Sequence, residues 1–92
     1  MIVRILGEGQ FEIVAGLVDE LNIHDGALET ALHSGSDADF HTSLQSLLGV
    51  VRSQGVRVPE DFLGPSDITL PAEESTPDEV RSMLAEDGLI PG

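Results

Sequence analysis

Between Ala15 and Gly55 apolar side chains return every three or four positions, and the rhythm breaks once, at His33-Ser34-Gly35-Ser36. That single break constrains the fold more than any other feature of the chain. Leu17, Leu21, His24, Leu28 and Leu32 mark one face of a helix running from Ala15 to about His33. Gly26 weakens its middle, since glycine lowers helix propensity. Phe40, Leu44, Leu47, Leu48 and Val51 mark one face of a second helix. Ser36 stands three residues before Asp39, a variant of the capping box. Gly55 closes this helix, and Arg52 lies in its last turn, where a cation meets the negative end of the helix dipole. Two amphipathic helices joined by so short a connection form an antiparallel helical hairpin.

The opening residues have a different period. Met1 to Leu6 is rich in β-branched residues, and Phe11 to Val14 resumes an apolar pattern. Gly7-Glu8-Gly9-Gln10 between them supplies residues that tolerate positive φ, which is a hairpin signal. A phosphate-binding loop needs more. The Walker pattern ends in Lys-Ser/Thr, and the dinucleotide fingerprint needs a third glycine opening a helix. Neither is present, and Glu8 puts a negative charge where phosphate would sit. The stretch is a turn.

Beyond the helical hairpin, Val56 to Gly64 reads as loop. Asp67-Ile68-Thr69-Leu70 lies between Pro65 and Pro71, and prolines suit a short strand at a sheet edge. Pro71 to Ser75 is an acidic linker. Thr76-Pro77-Asp78-Glu79 then gives an N-cap, a proline at the first helical position and a capping glutamate. Val80, Met83 and Leu84 form the buried face of this last helix, with Gly88 as its left-handed terminal residue and Leu89 as the accompanying apolar contact. The expected architecture is α+β: an N-terminal β-hairpin and one further short strand packed on three helices, in the order β-β-α-α-β-α. Leu44, Leu47, Leu48 and Val51 are expected to share a core with Ile5, Phe11 and Ile13. A length of 92 residues implies one domain, 1–92.

Seventeen acids against four arginines, with no lysine, give a net charge of −13. A surface of that sign repels phosphate backbones and anionic headgroups, so nucleic acid and bare membrane are not expected partners. No apolar run approaches the roughly 20 residues that cross a bilayer, and the N-terminus lacks the pattern of a signal peptide. The absence of cysteine suits a reducing compartment. The chain reads as cytoplasmic. No catalytic, cofactor or metal constellation emerges. His24 with Asp25, and His41 with Asp37 and Asp39, are of metal-binding type, but no pair shows H-E-x-x-H spacing. The paired carboxylates, Glu60-Asp61, Glu73-Glu74 and others, spread over exposed faces, and no serine lies in a nucleophile elbow.

Met1-Ile-Val-Arg-Ile-Leu-Gly-Glu-Gly-Gln10, Asp19-Glu-Leu-Asn22, Pro65-Ser-Asp-Ile-Thr-Leu-Pro71 and Glu79-Val-Arg-Ser-Met-Leu-Ala-Glu-Asp-Gly-Leu-Ile-Pro-Gly92 together resemble the PspA-associated domain family of bacteria and archaea. The resemblance spans the whole chain. It implies a small partner or regulator of phage-shock protein A, the coiled-coil, membrane-associated protein of envelope stress, and not an enzyme. Proteins of that partner family carry basic amphipathic segments, which an acidic domain could mask. This would bring the chain to the inner membrane face through its partner. Resemblance and charge together point to a partner-binding surface of Asp78, Glu79, Glu86 and Asp87 beside the apolar tail Leu89, Ile90 and Pro91. Two alternatives stand beside this reading. One is a metal-dependent enzyme or sensor using His24, His41 and neighbouring aspartates. The other is a structural domain that self-assembles through the edge strand Asp67 to Leu70.

Overall fold

A computed structural model describes residues 1–59, 61, 62 and 64–84. Strands β1 (Ile2–Ile5) and β2 (Gly9–Glu12) form the N-terminal hairpin. A short 3-10 turn, Ala15–Leu17, leads into helix α1 (Val18–Ser34), which is followed by α2 (Asp37–Gln54). Two further strands, β3 (Val56–Arg57) and β4 (Ile68–Leu70), precede helix α3 (Pro77–Met83). The strands make one sheet in the order β3-β2-β1-β4. β1 runs antiparallel to β2 with Val3 opposite Phe11, and parallel to β4 with Val3 opposite Ile68.

This is the expected α+β architecture with one strand more. Val56-Arg57 continues directly from α2 and pairs with Phe11 and Glu12, so part of the stretch read as loop belongs to the sheet. Two residues are too few to show a period, and the ladder forms because Gly55 delivers the chain onto β2. β4 does lie at the edge. β1 and β2 each lie between two neighbours, and Val3 and Ile5 of β1 are fully buried.

Alternation along the strands gives the sheet two faces. Val3, Ile5, Phe11, Ile13, Ile68 and Leu70 point to the helices and form one core with Leu21, Leu28, Phe40, Leu44, Leu47, Leu48, Val51 and Val80. Truncation of a side chain as enclosed as Leu47 costs about 2–5 kcal/mol, because the lost transfer energy adds to that of the cavity.

Each helix end has an identifiable cause. The Ser36 hydroxyl accepts from the Asp39 amide at 3.2 Å. Thr76 and Glu79 complete a reciprocal capping box. Gly35, at φ 75°, ends α1 in the left-handed region. Gly55 closes α2 in extended conformation, its N–H bonded to the Val51 carbonyl.

Two details depart from the sequence reading. α1 is rolled so that Asp25 and Ala31 face inward with Leu21, Leu28 and Leu32, whereas His24 is half-exposed. The two positions flank Leu21 and Leu28 symmetrically on a helical wheel, so periodicity alone does not choose between them. α3 stops at Met83, with Leu84 already extended, short of the end inferred at Gly88. Gly88 and Leu89 lie outside the described residues.

Candidate partner-binding surfaces

The turn at Gly7-Glu8-Gly9 joins β1 to β2. Gly7 has φ 84° and Gly9 φ 133°, a region that residues with a Cβ rarely adopt. The glycines shape the turn, and the turn aims Glu8 at the helices. Arg52, in the last turn of α2, donates from Nε to Glu8 Oε1 at 2.9 Å and from a terminal nitrogen to Oε2. A second terminal nitrogen reaches Glu73 at 3.4 Å. The Arg52 hydrogen bonds hold the Glu8 carboxyl below the usual carboxylate range, the charges of Arg52 and Arg57 add to this, and partial burial opposes it. The same pair raises the Arg52 guanidinium, chiefly through its hydrogen bond with Glu8. The turn is a clamp between sheet and helix.

Val58, Pro59 and Phe62, which follow β3, partly roof the sheet face turned away from the helices. Two adjoining depressions of about 250 Å³ each lie there, and Arg57, Val58, Pro59 and Phe62 line both. Arg4, Glu8, Gly9 and Gln10 complete the first, and Ile2, Glu12 and Val56 the second. The Arg57 guanidinium lies 5.6 Å from the centre of the Phe11 ring, within the range of a cation–π contact. Its Nη2 donates to the Glu8 carbonyl at 2.7 Å. Arg4 Nε donates to the Ser66 hydroxyl at 3.3 Å, and that hydroxyl donates to Gln10 Oε1 at 2.8 Å. A guanidinium only donates, so in this chain of bonds the Ser66 hydroxyl accepts from Arg4 and passes its proton toward Gln10 Oε1.

A third depression, about 300 Å³, lies between α1 and α2 and is lined by Ala27, Thr30, Ala31, Ser34, Asp39, Thr42 and Ser43.

Of the surface inferred from the sequence, Asp78 and Glu79 are exposed in the first turn of α3. Asp78 Oδ1 accepts from Arg81 at 2.8 Å, and Arg81 also donates to the Leu32 carbonyl at the end of α1 at 2.9 Å. Glu79 is engaged in the capping box. Glu86, Asp87, Leu89, Ile90 and Pro91 lie outside the described residues. Among the described residues no three His, Cys, Asp or Glu side chains come together to hold a metal ion. No helix among the described residues is long and apolar enough to cross a membrane.

Arg4, Gln10 and Arg57 are not singled out by sequence reasoning; of this group only Ser66 is, as part of the turn Gly64-Pro65-Ser66-Asp67, whose rigid, charged sequence suits turn chemistry or a partner-facing surface. These residues lie in strands and loops up to 62 positions apart, and only the tertiary fold brings them together.

The profile of the family described as PspA-associated protein matches residues 1–92. The chain belongs to the PspA-associated family. No curated protein and no solved structure matches it.

Proposed function

We propose that this member of the PspA-associated family is a single-domain, non-catalytic adaptor that binds a phage-shock protein A homologue during envelope or membrane stress. The family match over residues 1–92 carries the reading. Charge supports it. A protein of net charge −13 attracts basic amphipathic segments of the kind that the resemblance ascribes to the partner. The proposed contact is the acidic first turn of α3, Asp78 and Glu79, continued by Glu86 and Asp87, with Leu89, Ile90 and Pro91 as apolar anchors. Through this partner the chain would act at the cytoplasmic face of the inner membrane.

The test is co-purification of the protein with the phage-shock protein A homologue of the same organism, followed by calorimetric titration of the two purified components. Saturable binding is expected. Absence of any association at about 0.1 M salt, where exposed charges still act over a Debye length of about 10 Å, would overturn the assignment. One observation favours a second reading, self-assembly: β4 forms an outer edge of the sheet. Light scattering over a concentration series distinguishes it, a constant mass arguing against it.

A further inference from the structure

The pairing of α1 with α2 leaves a groove along the seam. Ala27, Thr30, Ala31 and Ser34 form its α1 wall, and Asp39, Thr42 and Ser43 its α2 wall. Steps of three and four place each set on one helical face, and the short turn at Gly35 and Ser36 sets Ser34 at the same end of the groove as Asp39. Asp39 is the one charged residue of the lining, and no arginine reaches it. The helix cap uses the Asp39 backbone N–H, and its carboxylate has no hydrogen bond or ion pair among the described residues. The Thr30 hydroxyl donates to the Gly26 carbonyl at 3.0 Å, and the Ser34 hydroxyl donates to the Ala31 carbonyl at 3.1 Å. With their protons spent, both hydroxyls offer only acceptor lone pairs. This part of the groove is therefore rich in acceptors and carries one negative charge.

Acceptors without a cation call for a donor. A lysine ammonium has three donors and no acceptor. It is compact, so it suits acceptors supplied by separate side chains better than a planar guanidinium fork does. Ala27 and Ala31 bring methyl groups to the groove, and the four-carbon stem of lysine lies along apolar surface while its head stays with polar groups. The volume, about 300 Å³, is at the lower end of pockets that enclose small molecules and suits one long side chain. Charge favours the same occupant. The chain carries a net −13 and has no lysine, and Arg52, Arg57 and Arg81 are bonded elsewhere. We infer that the groove between α1 and α2 binds a lysine side chain of a partner polypeptide, its ammonium held by Asp39, Ser34 and Thr30 and its stem against Ala27 and Ala31. The inference rests on the adaptor reading and deepens it, giving a basic segment a specific anchor. Arg81 of α3 donates to the Leu32 carbonyl, which brings α3 to the end of α1 that holds Ser34. One basic segment of the partner can therefore meet both the groove and the acidic first turn of α3.

The test follows the backbone amide signals of the full chain by NMR. A capped Ala-Lys-Leu peptide is titrated against its Ala-norleucine-Leu counterpart, which keeps the four-carbon stem and lacks the ammonium. The lysine peptide is expected to move the signals of Ala27, Thr30, Ala31, Ser34, Asp39, Thr42 and Ser43 saturably. The norleucine peptide should bind about tenfold or more weakly, because it lacks the charge-assisted bonds. Asp39→Asn should weaken the lysine peptide to a similar degree and leave the fold intact, since the backbone N–H that meets Ser36 is retained. Ala27→Leu should abolish the response by filling the groove, and the exposed position of Ala27 lets the fold accept the larger side chain. A melting curve for each variant checks this. Equal responses to the two peptides, no response, shifts spread over the other acidic faces, or an undiminished response of Asp39→Asn would overturn the proposal. A second arm measures binding of the phage-shock protein A homologue to Ala27→Leu, where a loss of about tenfold or more is expected. Wild-type affinity there would overturn the proposed site and leave the adaptor function intact. If the homologue bound neither protein, the adaptor reading would fall and the peptide titration would still decide the site.

Discussion

Glu8 illustrates how much one residue's meaning depends on its surroundings. As sequence, its charge argues against a phosphate loop; in the fold, that charge ties the hairpin to α2 through Arg52. The pair predicts a defined acid response. Arg52 lowers the Glu8 pKa below its ordinary 4.5 in the folded protein, so the unfolded chain takes up the proton first as pH falls. The stabilisation is therefore complete above about pH 4.5 and is lost as pH drops through the lower folded value. Glu8→Gln should reduce stability at pH 7 by up to about 1 kcal/mol, the range of a partly exposed ion pair. The two proteins should converge at acid pH, where the wild-type carboxyl is itself protonated. Urea denaturation of both between pH 7 and pH 3 measures this. A difference that persisted unchanged at low pH would assign the effect to packing instead. The pairing could not be read from the sequence, because 44 positions separate the partners and the tertiary fold alone brings turn and helix end together.

Helix elements were legible where periodicity and local chemistry agree. Phe40, Leu44, Leu47, Leu48 and Val51 all lie in the core, and Ser36 and Thr76 cap their helices as the sequence implies. Ser36→Ala and Thr76→Ala should each cost about 1 kcal/mol, read as a shift in the midpoint of thermal unfolding. What stayed hidden depended on approach between elements: the roll of α1 that buries Asp25, the two-residue β3, and the side chains gathered on the outer sheet face. Two glycines show the contrast. Gly26 lies on the exposed side of α1, and a Cβ there would meet nothing within 4 Å. Gly26→Ala should stabilise the protein by about 0.5–1 kcal/mol. Gly55 has an ordinary φ of −85°, yet a Cβ there would lie 2.6 Å from the Val51 carbonyl oxygen and 3.2 Å from Ile13 Cγ2 and Phe11 Cβ. Gly55→Ala should destabilise by about 1–3 kcal/mol, as overpacking does. Opposite signs for the same substitution, measured by chemical denaturation, would confirm that close approach of the Val51 carbonyl, with Phe11 and Ile13 behind it, and not backbone freedom, requires glycine at position 55.

For the molecule as a whole, the governing quantity is the net charge of −13, and it acts on folding and on binding with opposite signs. Like charges held on a compact surface repel, which destabilises the folded state. Salt screens that repulsion, so the melting temperature at neutral pH should rise between about 0.01 and 0.5 M sodium chloride, as the Debye length falls from about 30 Å to only a few ångströms. The proposed attraction to a basic partner is screened by the same ions and should weaken over the same range. Much of this loss belongs to the association rate, because long-range steering acts on encounter more than on the formed complex. Charge reversal at Glu86 and Asp87 should slow association further, whereas removal of residues 89 to 92 should chiefly hasten dissociation if the tail anchors the complex. Stopped-flow association at several salt concentrations, with a melting curve at each and one for the truncated protein, separates the contributions. Weaker binding under conditions that make the fold more stable cannot result from unfolding, and it would identify electrostatic attraction as the driving force. Binding indifferent to salt and to both changes would exclude the acidic surface and leave the outer face of the sheet as the contact to test.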